Sequence, residues 1–132
     1  MRQVVPSRHG ALREVAPIVS IRRLGESTCV VTLGADAGRL AAAAADELAV
    51  GAAADGCEDF VFDLTDLRRY EVTALWRLAD LWQGLGGFGY SVLVAACDAG
   101  VVGTLRRALG DDASMLRPTV AEALRSLLAR PL

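Results

Sequence analysis

A chain of 132 residues, 53% hydrophobic and 23% charged, has the size and composition of one globular domain that can bury a core unaided by metal or disulfide. Its net charge of -2 comes from 14 basic and 16 acidic residues mixed along the chain, which excludes the basic footprint of a nucleic-acid binder. Charges or glycines interrupt every apolar run before the roughly 20 residues that a membrane span needs, and no secretory signal is visible, so a cytoplasmic protein with no membrane partner is expected.

Residues 1–16 read as a flexible N-terminal segment and residues 17–130 as a single domain. Ile18 to Ile21 and Thr28 to Leu33 are short β-branched runs, a hairpin with Gly25 in its turn. Gly34 to Gly38 breaks the second strand. Arg39 to Ala54 is alanine-rich and predicts a helix, with Leu40, Ala44 and Leu48 on one face. Asp59 to Leu64, "DFVFDL", is nearly all apolar, as expected for a strand buried on both faces. From Thr73 to Gln83 the period becomes helical. Leu75, Leu78, Trp82 and Leu85 form a core stripe that Trp76 and Ala79 widen.

"YSVLVAA", Tyr90 to Ala96, is a second buried strand. Asp98 fits the N-cap of a helix carrying Val101, Val102, Leu105 and Leu109. A short extended piece lies near Met115 and Leu116. Thr119 to Glu122 fits the capping box T-x-x-E, opening a last helix with an apolar stripe of Val120, Ala123, Leu124, Leu127 and Leu128. The order ββαβαβ(β)α, with about four helices in all, implies an α/β fold with a mostly parallel, mixed sheet of four or five strands. Phe60 to Leu64 and Val92 to Ala95 should be central, and the opening hairpin should add an antiparallel strand at an edge.

Candidate chemistry is sparse. "GLGGFG", Gly84 to Gly89, satisfies G-x-G-x-x-G, but it follows a helix and precedes a strand, so no phosphate would meet a helix N-terminus there. Gly84 reads instead as a helix C-cap, with a flexible turn after it. Asp63, Asp66 and Glu71 lie at a strand end where acids can hold magnesium, yet Arg68 and Arg69 neutralise the loop and no phosphate-binding turn accompanies them. Ser91 and Ser114 have no base nearby in sequence. Cys29, Cys57 and Cys97 are odd in number and lack C-x-x-C spacing, so small buried thiols are expected. His9 stands alone in the polar N-terminal segment. Lys and Asn are absent and every basic residue is Arg, which reads as coding bias. No enzyme, cofactor or metal site is expected.

The run Asp63-Leu64-Thr65-Asp66-Leu67-Arg68-Arg69-Tyr70-Glu71-Val72-Thr73-Ala74-Leu75 follows Gly34-Ala35-Asp36, and the chain closes with Thr119-Val120-Ala121-Glu122-Ala123-Leu124. In order and spacing, residues 18–128 resemble the STAS family, typified by bacterial anti-sigma factor antagonists. Those proteins carry G-E-L-D after the second strand, then D-L-S-x-V-x-x-I-D-S-S-G-L, then a last helix opening T-V-E-E-A-L. The resemblance implies a fold of this order and a non-enzymatic regulator of transcription that works by partner switching. A partner kinase, itself an anti-sigma factor, phosphorylates the first serine of D-S-S-G and thereby releases the antagonist.

Carried onto this chain, Glu71 takes the aspartate, Val72 the phosphorylated serine, Thr73 the second serine and Ala74 the glycine. Val72 has no oxygen, so the usual switch cannot operate there. Thr73 points about 100° away from position 72 around a helix, out of line for the same kinase. Glu71 either keeps the family acid's role or imitates a phosphorylated state. The resemblance implies a partner surface of Asp36, Arg68, Arg69, Tyr70, Glu71, Val72 and Thr73, with Arg106 and Arg107 contributing. The partner would be an anti-sigma factor with serine kinase activity or another STAS protein. The alternatives are a scaffold that acts through self-association as a homodimer or with paralogues, and a STAS domain that binds a small ligand.

Overall fold

A computed structural model of the chain describes residues 4–6, 12–14 and 19–129. His9 and Ile18 lie outside these, as does most of the segment 1–16 expected to be flexible. The described part of that segment is β1 (Val4–Pro6) paired antiparallel with β2 (Leu12–Glu14). Then come β3 (Val19–Leu24), β4 (Thr28–Leu33), the two-residue β5 (Asp36–Ala37), α1 (Arg39–Ala54), β6 (Asp59–Asp63) and the two-residue β7 (Arg69–Tyr70). The chain continues with α2 (Val72–Gly87), β8 (Ser91–Ala95), α3 (Ala99–Leu109), a 3-10 turn over Gly110–Met115, β9 (Leu116–Arg117) and α4 (Val120–Leu128).

Five strands form the main sheet in the order β3-β4-β6-β8-β9. Only the β3–β4 pair is antiparallel, with Val19 opposite Leu33 and Leu24 opposite Thr28, so the opening hairpin does supply the antiparallel edge. The apolar run of β6 is the middle strand, as its two-sided burial required. Alternation along the strands sends Val31, Leu33, Phe60 and Phe62 to one face, where α1, α2 and α3 cover them. Val30 and Val61 point to the other face, where Ala123 of α4 meets them.

Several expectations from the sequence are corrected. The buried face of α1 is Ala41, Ala42, Ala45 and Ala49, while Leu40 is exposed. Methyl-sized side chains let α1 approach a sheet face already filled by bulky strand residues, and the expected Ala44 and Leu48 pack partly buried beside them. Trp76 is exposed because it sits one position, about 100°, beyond the buried Leu75. Leu128 is likewise exposed on the last turn of α4. Helix α2 does not end at Gly84. It runs on through Gly87, kept in place by buried Leu85, and closes at Gly89, whose φ of 96° only glycine adopts without strain. There Gly89 N–H donates to Gly86 O at 3.0 Å and Tyr90 N–H to Leu85 O at 3.1 Å, a Schellman closure.

The cysteines also differ from expectation. Cys29 and Cys57, both buried, form a disulfide across 28 residues of sequence, and Cys97 is exposed. The parallel register places Cys29 opposite Phe60, three residues beyond Cys57, and this long-range pairing leaves no trace in local spacing. No helix among the described residues is long and apolar enough to cross a membrane.

Candidate functional site

The site forms where the chain leaves β4 and β6 and enters α1 and α2. Strands β5 and β7 pair in parallel, Asp36 with Arg69 and Ala37 with Tyr70. Arg68 and Arg69 N–H both donate to Ala35 O, at 2.9 and 3.0 Å, and Glu71 N–H donates to Ala37 O at 2.9 Å. These bonds zip the two connections together and set the starts of α1 and α2 side by side. Asp36 meets Arg69 in an ion pair of 2.8 Å, with side chains 66% and 80% exposed. An open cleft of about 300 Å³ is lined by Asp36, Ala37, Gly38, Arg69, Tyr70 and Glu71.

Among the described residues no three acids, histidines or cysteines cluster as a metal site would need, and Asp63 serves its own turn. Asp63 Oδ1 accepts from Thr65 N–H at 3.0 Å and from Thr65 Oγ1 at 2.6 Å, a local turn that ends β6. Arg68 Nη1 donates to the carbonyls of Thr65 and Leu67, both at 3.0 Å, so its guanidinium braces its own loop. Glu71 occupies the N-cap of α2 in an extended conformation, but its side chain caps nothing there. The carboxylate turns instead toward the N-cap of α1, its Oε1 lying 3.5 Å from where a Cβ on Gly38 would stand. A negative charge at that helix start is favourable by roughly 0.3–1 kcal/mol.

Val72, the first residue of α2, is 54% exposed, and Thr73 beside it is exposed, whereas Ala74 is buried in the core. The α2 N-terminus therefore presents uncapped N–H groups and a bare aliphatic side chain to the surface. Tyr70 reaches across to the start of α3. A Cβ at Gly100 would lie 2.7 Å from the Tyr70 hydroxyl, so only glycine leaves room for that ring. Beneath it Asp98 caps α3 as expected, its Oδ2 accepting from Gly100 and Val101 N–H at 3.1 Å each. The exposed thiol of Cys97 donates to Thr65 O at 3.5 Å, on the same rim.

The fold thus brings Asp36, Arg68, Arg69, Tyr70, Glu71, Val72 and Thr73 into one surface. It does not bring Arg106 and Arg107 there. They stand in the last turn of α3, roughly 10 Å further along the helix axis than Gly100. Arg107 Nη2 donates to Thr104 Oγ1 at 3.4 Å. Sequence reasoning missed Gly38 and Gly100. A glycine two residues after an N-capping Asp is the one local sign that something crowds the first turn of α3.

No protein-family model matches the sequence, and no curated protein matches it by sequence alone. Solved structures do match it in fold. The anti-sigma factor antagonist SpoIIAA in its unphosphorylated form superposes with a TM-score of 0.70 at 9% identity, over 86% of this chain and 99% of that one. An anti-sigma factor antagonist from Mycobacterium paratuberculosis gives 0.67 at 21% identity, over 83% and 92%. The murine anion transporter Slc26a9 gives 0.64 at 12% identity, where 80% of this chain corresponds to 18% of the transporter. From nearly complete superposition on two independent antagonists, the chain has the STAS fold.

Proposed function

We propose that this protein is a non-enzymatic regulatory domain that docks on a protein partner through the β5–β7 rim and the start of α2, and that it does so without a phosphorylation switch at position 72. The partner is of the anti-sigma class, with serine kinase activity, as the likeness to anti-sigma factor antagonists suggests, and the setting is the bacterial cytoplasm. The observation that carries this reading is Val72. It is a half-exposed aliphatic residue at the first position of an uncapped helix, where the resemblance expects a phosphorylated hydroxyl.

The surrounding chemistry supports docking. Arg69 and Tyr70 are residue types enriched where interfaces concentrate their energy, and Val72 adds apolar area between them and Thr73. Phosphate would add about -1.5 to -2 charge to such a surface and drive a partner off, and a valine cannot receive it. Capture from extract on the immobilised protein tests the proposal. An anti-sigma-type kinase should be retained, and Arg69→Ala and Tyr70→Ala should each weaken its binding by about tenfold or more, as hot-spot residues do. Affinities within a factor of two of the parent for both variants would move the partner surface elsewhere.

A further inference from the structure

The far ends of α1 and α2 carry a second surface that the partner site does not use. We infer that it is a self-association face, on which a second copy of this chain docks about a two-fold axis. An apolar cavity of about 690 Å³ opens between the C-terminal turns of the two helices, walled by Ala53 of α1 and by Leu81 and Leu85 of α2. Gly84 lies on its edge, and no atom stands within 4 Å of where a Cβ there would be, so the hole is open to an incoming side chain. At the mouth stand Val50, 56% exposed, and Phe88, 86% exposed. A protruding aromatic ring beside an apolar hole is a self-complementary surface, because a two-fold axis makes each copy supply the knob for the other's hole.

The charges fit the same arrangement. Arg77, Asp46 and Asp80 rim the cavity, and among the described residues no ion pair engages any of them. Acids on both helices and a cation on one give a rim that can pair with its own image across a two-fold axis. The groove runs roughly 15 Å along the helices, about half the ~30 Å breadth of a standard interface of about 800 Å² per partner, so the dimer is a weak, concentration-dependent one. Along α2 it extends from Arg77, about 7.5 Å from Val72, to Phe88, about 24 Å away, and none of its lining residues belongs to the partner rim.

Sedimentation equilibrium of the full chain over a concentration series tests the inference. The parent should show a reversible monomer–dimer equilibrium, and Phe88→Asp should raise the dimer Kd at least tenfold. Arg77→Glu alone, and Asp46→Arg with Asp80→Arg, should each weaken self-association. An equimolar mixture of these two charge-reversed proteins should recover it, because each contact across the axis again joins opposite signs. A parent that stays monomeric to about 1 mM, the weak end of specific association, overturns the inference. So does a mixture no more associated than its components. A monomer that takes up an apolar fluorescent dye, and loses it on Phe88→Asp, would assign the cavity to a small apolar ligand instead.

Discussion

The starts of α2 and α3 lie close together, joined by the Tyr70 ring, and are built on opposite plans. At α3, Asp98 satisfies two backbone N–H groups, and Gly100 yields its side-chain space to Tyr70. At α2, Glu71 holds the capping position yet leaves the helix uncapped, sending its carboxylate to the start of α1. One terminus is closed by its own chain and belongs to the scaffold. The other leaves its first N–H groups without a side-chain cap and Val72 exposed. Under the docking proposed above, the closed terminus is structural and the open one faces the partner.

That contrast can be broken first at Gly100. Replacing a helical glycine by alanine usually gains roughly 0.5–1 kcal/mol. Here the new methyl would meet the Tyr70 hydroxyl, so Gly100→Ala should instead lose about 1–3 kcal/mol in urea unfolding and weaken partner binding as Tyr70 is displaced. A gain in stability would show that Tyr70 does not pack where we describe it.

The next effect is that of the caps themselves. Asp98→Ala should cost about 1 kcal/mol, within the usual range of 0.5–2 for a lost N-cap. Glu71→Ala removes no cap, only a charge near α1, and should cost under about 1 kcal/mol, shrinking further in high salt. Equal losses in thermal or urea unfolding would erase the distinction between the two helix starts. The smallest stability effect belongs to the rim. Asp36→Ala should change stability by less than about 1 kcal/mol, since the Asp36–Arg69 pair is largely solvated.

Much of this architecture was legible beforehand, and what was not has a physical reason. The central place of β6 followed from its unbroken apolar run, and the caps at Asp98 and Thr119 followed from side-chain chemistry that acts within three residues. Thr119 Oγ1 indeed accepts from Glu122 N–H at 3.1 Å. On α1 the expected Ala44 and Leu48 do pack against the core, but periodicity favours large residues and so included the exposed Leu40, while the fully buried positions are Ala41, Ala42, Ala45 and Ala49. The Cys29–Cys57 bond, the turn of Glu71 toward Gly38 and the crowding of Gly100 by Tyr70 all join residues from different elements. Such contacts depend on strand register and loop pairing, which local pattern does not encode. The D-S-S-G-like frame covers residues that the fold places together on the rim, whereas Arg106 and Arg107, grouped with them in sequence, stand in the last turn of α3.

The central claim is that the complex with an anti-sigma-type kinase forms at this rim and is not released by phosphorylation. The direct measurement is the affinity of the captured complex before and after prolonged incubation with ATP and magnesium, with the intact mass of the chain read from the same samples. The account predicts an unchanged affinity and an unchanged mass, with Val72→Ser the variant that gains phosphate and dissociates. Stoichiometric phosphate on Thr73 of the natural protein, accompanied by loss of the complex, would contradict it, because the switch would then have moved by one residue instead of being lost.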